Sequence, residues 1–201
     1  MKVFYKIISY VFHPIFIPIY GTLSYFLVSK KYTTLAMKIG NLLPIFILTV
    51  MVPIICFLIL RNMGLVNSVF FPSTKARKYP LFISLVLLLM IIYKVIPYNY
   101  TAELYYFFIG LIIALFTYLM LLFVKFKGSL HMLGIGTLTM YLINLSIHFE
   151  INLTFSISLL ILMAGLIASS RLYFRAHNTL TLGTGLIIGI VSQFITIPYW
   201  L

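Results

Sequence analysis

Hydrophobic residues run through this chain in long blocks, separated by short stretches where cations and turn formers collect. A helix needs about 20 consecutive apolar residues to cross a bilayer. Seven such segments can be drawn, at about 8–29, 40–60, 80–97, 103–124, 130–148, 152–170 and 180–200. Lys94 interrupts the third, and Asn144 and Ser146 interrupt the fifth. The pattern therefore predicts an all-α, polytopic membrane helical bundle of six to seven transmembrane helices. The longest polar connection is "NMGLVNSVFFPSTKARKY", residues 62–79, and the others span only a few residues, so neighbouring helices are expected to pack as antiparallel hairpins. With no repeat or low-complexity tract, the chain reads as a single membrane domain, 1–201. Its charged, then apolar, beginning is followed by no small-residue cleavage site, which predicts a retained first helix.

Composition supports this class. Hydrophobic residues make up 63% of the 201, against roughly 45–50% in soluble domains. The single cysteine, Cys56, excludes a disulfide framework and a cysteine-based zinc site. The net charge of +12 does not point to nucleic acid, because the cations sit between apolar blocks instead of forming one soluble basic face. Anionic headgroups or a phosphorylated lipid suit that placement better.

Threading seven crossings brings the N-terminus and the 62–79, 125–129 and 171–179 loops to one membrane face. Lys75, Arg77, Lys78, Lys125, Lys127, His131, Arg171, Arg175 and His177 then share that face, while both acidic residues, Glu103 and Glu150, fall on the other. "STKARKYP" (73–80) carries three cations before a helix, with Pro80 suited to its first turn. "KGSLHM" (127–132) offers Ser129 as an N-cap and His131 in the first turn, and a helix N-terminus welcomes an anion. "SRLYFRAH" ends one helix and "NTLT" starts the next, with Asn178 or Thr179 as cap. Arg171 and His177 would face apart on an unbroken helix, so a break between them is needed to turn both toward one pocket. His13 and His148, without matched partners, read as structural.

These segments resemble the signatures of the PAP2 superfamily of lipid phosphatases. Ser170–Arg171, five residues, then His177 is similar to the third signature. Ser129–Leu130–His131 resembles the Ser-Gly-His core of the second, and Lys75 or Arg77 with Pro80 a shortened first. Gly185 and Gly189 resemble the glycines that follow. The resemblance covers roughly 74–190, so it implies two N-terminal transmembrane helices (1–61) ahead of a PAP2-like core (62–201).

The resemblance implies a metal-independent phosphatase acting on a phosphorylated lipid or isoprenoid, without a cofactor. His177 would be the nucleophile and form a phosphohistidine, and His131 would protonate the leaving group. Lys75, Arg77, Ser129 and Arg171 would hold the phosphate oxygens. The chain departs from the pattern at Leu130, in place of glycine, and at Thr181, where the family has Asp. Thr181 lies one turn beyond His177, and its hydroxyl is expected to orient the imidazole without supplying charge.

Two other readings stay open: a PAP2-like protein that binds a lipid phosphate without hydrolysis, or a small transporter or membrane-complex subunit whose basic cluster serves topology. Singly, Lys75, Arg77, Lys78, Lys125, Lys127 and Arg175 suit headgroup anchoring; the matched spacings set Ser129, His131, Arg171 and His177 apart. Counting Lys and Arg gives ten on the basic face and four on the other, which places the basic face in the cytoplasm of an integral, bacterial inner-membrane protein.

Overall fold

A computed structural model describes residues 2–65, 74–96 and 100–201, without the side chains of 74–76. Among the described residues nine α-helices follow in order: α1 (Lys2–Val11), α2 (Ile17–Val28), α3 (Leu35–Phe46), α4 (Val52–Asn62), α5 (Thr74–Lys94), α6 (Ala102–Phe123), α7 (Leu130–Phe149), α8 (Thr154–Tyr173) and α9 (Thr179–Thr196). No strand occurs among the described residues. Six helical runs among the described residues are long and apolar enough to cross a membrane: Lys2–Val28, Leu35–Asn62, α6, α7, α8 and Thr179–Tyr199. The fold is thus the expected all-α bundle of an integral membrane protein. At 21 residues α5 also reaches about 31 Å, although Arg77, Lys78 and Lys94 sit at its ends.

Proline accounts for much of the difference between the drawn segments and the observed helices. The first segment is broken at His13–Pro14. A residue before proline is driven out of the α region, and His13 is extended at φ −66°, ψ 137°. A 3-10 turn, Pro14–Phe16, then leads into α2. In the second segment, α3 and α4 are joined by a π-helical turn, Ile47–Met51, directly before Val52–Pro53. Pro53 has no N–H to give to the preceding turn, and a wider turn accommodates its ring without ending the helix. Pro80 was expected in the first turn of α5, but the helix begins earlier, at Thr74. Arg77 donates to the Tyr118 hydroxyl at 3.4 Å and Lys78 stands 3.7 Å over the Phe123 ring, tying that additional turn to α6.

The crossing of α7 and α9 fixes the site's geometry. A Cβ at Gly185 would lie 2.4 Å from the Ser129 carbonyl oxygen, and one at Gly189 would lie 2.2 Å from that of Leu133. On the other helix, a Cβ at Gly136 would meet Leu186 O at 2.7 Å. Only helices bare at these positions can bring their backbones so close. The first two spans are not peripheral to this core. Ile17 fills the space beside Gly134 of α7, and Phe107 occupies the place of a Cβ at Gly21. Phe107 also stacks on Tyr141, with centroids 4.3 Å apart.

The end of the bundle away from the basic loops holds the described ion pairs. Glu103, only 2% exposed, pairs with Lys31 at 2.8 Å and His148 at 3.1 Å. Glu150, exposed, ends α7 in the left-handed conformation. Both carboxylates therefore lie at the opposite end from the basic segments, as the loop assignment predicts.

Candidate functional site

Where α5, α7 and α9 begin and α4 and α8 end, their termini surround a cavity of about 560 Å³. Its polar end includes Arg61, Arg77 and Arg171 with His13, His131 and His177. The remaining wall is largely aliphatic, including Leu48, Leu87, Leu88 and Leu111. Leu48 and Arg61 lie on one helical run, about 20 Å apart at 1.5 Å per residue. The apolar part thus reaches deeper than one leaflet's hydrocarbon, about 15 Å. His177 and Ala176 also line a second, shallower depression with Lys127, Arg175, Asn178 and Thr181.

The helix break between Arg171 and His177 is present. α8 ends at Tyr173, Arg175 takes a left-handed φ of 50°, and α9 starts at Thr179 under the Asn178 cap. This reversal brings Arg171 and His177 to the same cavity. Arg171 Nε is buried without a hydrogen-bond partner among the described residues. Neither carboxylate approaches it, since the ion pairs among the described residues all involve Glu103 at the far end. Burial, followed by the charges of Arg77, Arg171 and Lys127, pushes the His177 imidazole from its ordinary 6.5 down to about 4. At neutral pH His177 is uncharged and keeps a nucleophilic lone pair.

His131 also lines the cavity, and its Nε2 donates to the Ser9 carbonyl at 3.2 Å. In the neutral ring that leaves Nδ1 unprotonated. Ser9 is a site residue with no sequence signal. Its hydroxyl shares a 2.8 Å hydrogen bond with Ser170, the serine preceding Arg171, while its carbonyl accepts from His131. α1 thereby ties the two histidine-bearing segments together. A serine inside an apolar helix carries no spacing that would mark it.

Two expected roles change. Ser129, assigned to a phosphate oxygen, is fully buried as the N-cap of α7 and is not part of the cavity wall. Its Oγ accepts from Met132 N at 3.4 Å, and its own N–H donates to Thr181 O. The close passage of Gly185 over its carbonyl leaves no room for a ligand there. Thr181, expected to orient His177, instead completes a capping box. Its hydroxyl accepts from Asn178 N at 3.1 Å and donates to Asn178 O at 2.9 Å. A hydroxyl at the third helical position is well placed for that reciprocal cap. Of the first basic segment, Arg77 lines the cavity, while the side chain of Lys75 lies outside the described residues. No group of three His, Cys, Asp or Glu side chains arranged to hold a metal ion occurs among the described residues. Comparison with known protein families, curated proteins and solved structures finds no match to this chain.

Proposed function

We propose that this protein is a membrane phosphatase of PAP2-like type that hydrolyses a phosphorylated lipid or isoprenoid through a phosphohistidine, without a metal ion. The observation that carries the reading is the composition of one cavity: arginines and histidines without a nearby carboxylate at one end, aliphatic side chains along the rest. A phosphate monoester or diphosphate supplies the missing negative charge, and guanidinium forks match its oxygens. An acyl or isoprenoid chain occupies the aliphatic part.

In the proposed reaction Arg77 and Arg171 hold the nonbridging oxygens. Neutral His177 attacks phosphorus, and the bond from phosphorus to the leaving oxygen breaks as the P–N bond forms. The phosphate enters as its monoanion, and its own P–OH proton passes through the unprotonated Nδ1 of His131 to the leaving oxygen. Water then attacks phosphorus, the P–N bond breaks, the water's proton passes through His131 Nδ1 to a phosphate oxygen, and inorganic phosphate and free His177 are released. Such a transfer depends chiefly on positioning and charge stabilisation, which arginines can supply.

A second reading is favoured by one observation: no carboxylate backs His177, and the Thr181 hydroxyl is engaged in its cap. In that reading the protein binds the same lipid phosphate and turns it over slowly or not at all. Phosphate release from a panel of lipid phosphates and isoprenoid diphosphates in detergent micelles separates the two. The phosphatase reading expects release that survives EDTA and disappears in His177→Ala. Tight lipid-phosphate binding without release selects the binding protein; activity lost to a chelator and restored by a divalent ion overturns the metal-independent mechanism.

A further inference from the structure

The cavity receives a third histidine from outside the segments that carry the other site residues. Pro14 forces His13 into an extended conformation at the break in the first span, and His13 caps the turn that follows. Its Nδ1 accepts the Ile15 N–H at 3.3 Å. With Nδ1 occupied as an acceptor, the proton of the neutral ring resides on Nε2. His13 lines the polar end of the cavity with Arg61 and Arg171. Its ring stands edge-on to that of His131, with centroids 5.3 Å apart and planes at 86°. A cap needs only one acceptor. Imidazole brings a second nitrogen, which here remains available to whatever fills the cavity.

We propose that His13 binds the phosphoryl group directly, donating its Nε2–H to a nonbridging oxygen. This rests on reading the cavity as a phosphate-ester site, and it extends that site to the first membrane span. Beside His131, whose Nε2 is committed to Ser9, His13 supplies a donor with a fixed tautomer. Arg61, at the end of α4, adds a cation from the second span. The two N-terminal spans then form part of the binding site rather than a separate anchor.

Two substitutions separate the two ring nitrogens. His13→Asn keeps an acceptor for the Ile15 N–H, because asparagine caps well, but it is too short to replace Nε2. His13→Gln extends an amide donor toward the position of Nε2 and gives up the cap. Binding of inorganic phosphate and of a short-chain phosphatidic acid is measured by calorimetry on the full chain in detergent micelles, with unfolding followed in parallel. The expected result for His13→Asn is wild-type stability with both dissociation constants raised at least about tenfold, or about 1.4 kcal/mol. His13→Gln is expected to bind within about threefold of wild type while unfolding more easily. An asparagine variant that binds like wild type overturns the role of His13 alone. A wild-type protein that binds neither probe removes the phosphate reading and the His13 proposal with it.

Discussion

Replacing Gly189 with alanine tests whether the close approach of α7 and α9 builds the site. The added methyl carbon would stand 2.2 Å from Leu133 O and 2.8 Å from Thr137 N, backbone atoms that no rotamer change can move. Ordinary contact begins at 3.4 Å, so α9 must retreat by about 1.2 Å or distort. Overpacking of this kind costs about 1–3 kcal/mol. Gly183, on the same helix, is the control, because a Cβ there meets nothing within 4 Å. Gly183→Ala should instead gain about 0.5–1 kcal/mol from the higher helix propensity of alanine. Titrating the protein from mild detergent into SDS, with helicity followed by circular dichroism, compares the two directly. A displacement of about 1 Å at a catalytic centre costs roughly a hundredfold in rate. Phosphate release by Gly189→Ala should therefore fall by about that factor while Gly183→Ala stays near wild type. Equal unfolding midpoints for the two variants would refute the packing argument. Equal rates despite different midpoints would mean the crossing does not set the distance between the histidines.

For the proposed phosphatase, the depressed pKa of His177 sets an activity profile with a defined sign. As pH falls through about 4, the imidazole gains its proton and loses its lone pair, so kcat/KM should drop there rather than near 6.5. The unfolded chain takes up that proton more readily, so stability also falls as pH descends from 6.5 towards 4. Thr181→Asp should preserve the helix cap, raise the rate and move the acid limb upward. An unchanged limb would place the new carboxylate out of reach of His177. At the far end of the bundle, Glu103→Gln weakens the hold on Lys31 and His148 and should destabilise the protein by about 1–3 kcal/mol in the same SDS titration, leaving phosphate binding unchanged.

The parts of the site legible in the sequence are those held by local rules. Ser129 and Asn178 announce helix starts by residue type, and the interval between Arg171 and His177 demands a break that the Asn178 cap supplies. Neighbouring rules also misled. Pro80 suggested a helix start because proline is welcome there, but contacts of Arg77 and Lys78 with α6 carry the helix earlier. The roles expected of Ser129 and Thr181 came from their positions in a resemblance, yet how deeply each is packed depends on α9 crossing α7. His13 read as structural, and Ser9 and Arg61 carried no motif, for a different reason. Each reaches the cavity through contacts with helices distant in sequence, and a lone polar residue in an apolar run has the same pattern whether it lines a site or fills a core. Only the pairing of spans makes that distinction.

His177 stands between two concavities, one whose arginine-lined end leads into an aliphatic interior and the other lined by Lys127, Arg175 and the polar start of α9. A reaction at such a partition sorts its products by phase. A long-chain alcohol loses about 0.8 kcal/mol for every methylene that leaves hydrocarbon for water, whereas an inorganic phosphate is favoured by hydration on the other side. In the proposed reaction, cleavage at His177 would convert one amphiphile into two molecules with opposite solvent preferences, each facing the medium it prefers. The wall that carries His177 would thereby also give such products separate exits, and neither would have to cross the other's solvent to leave.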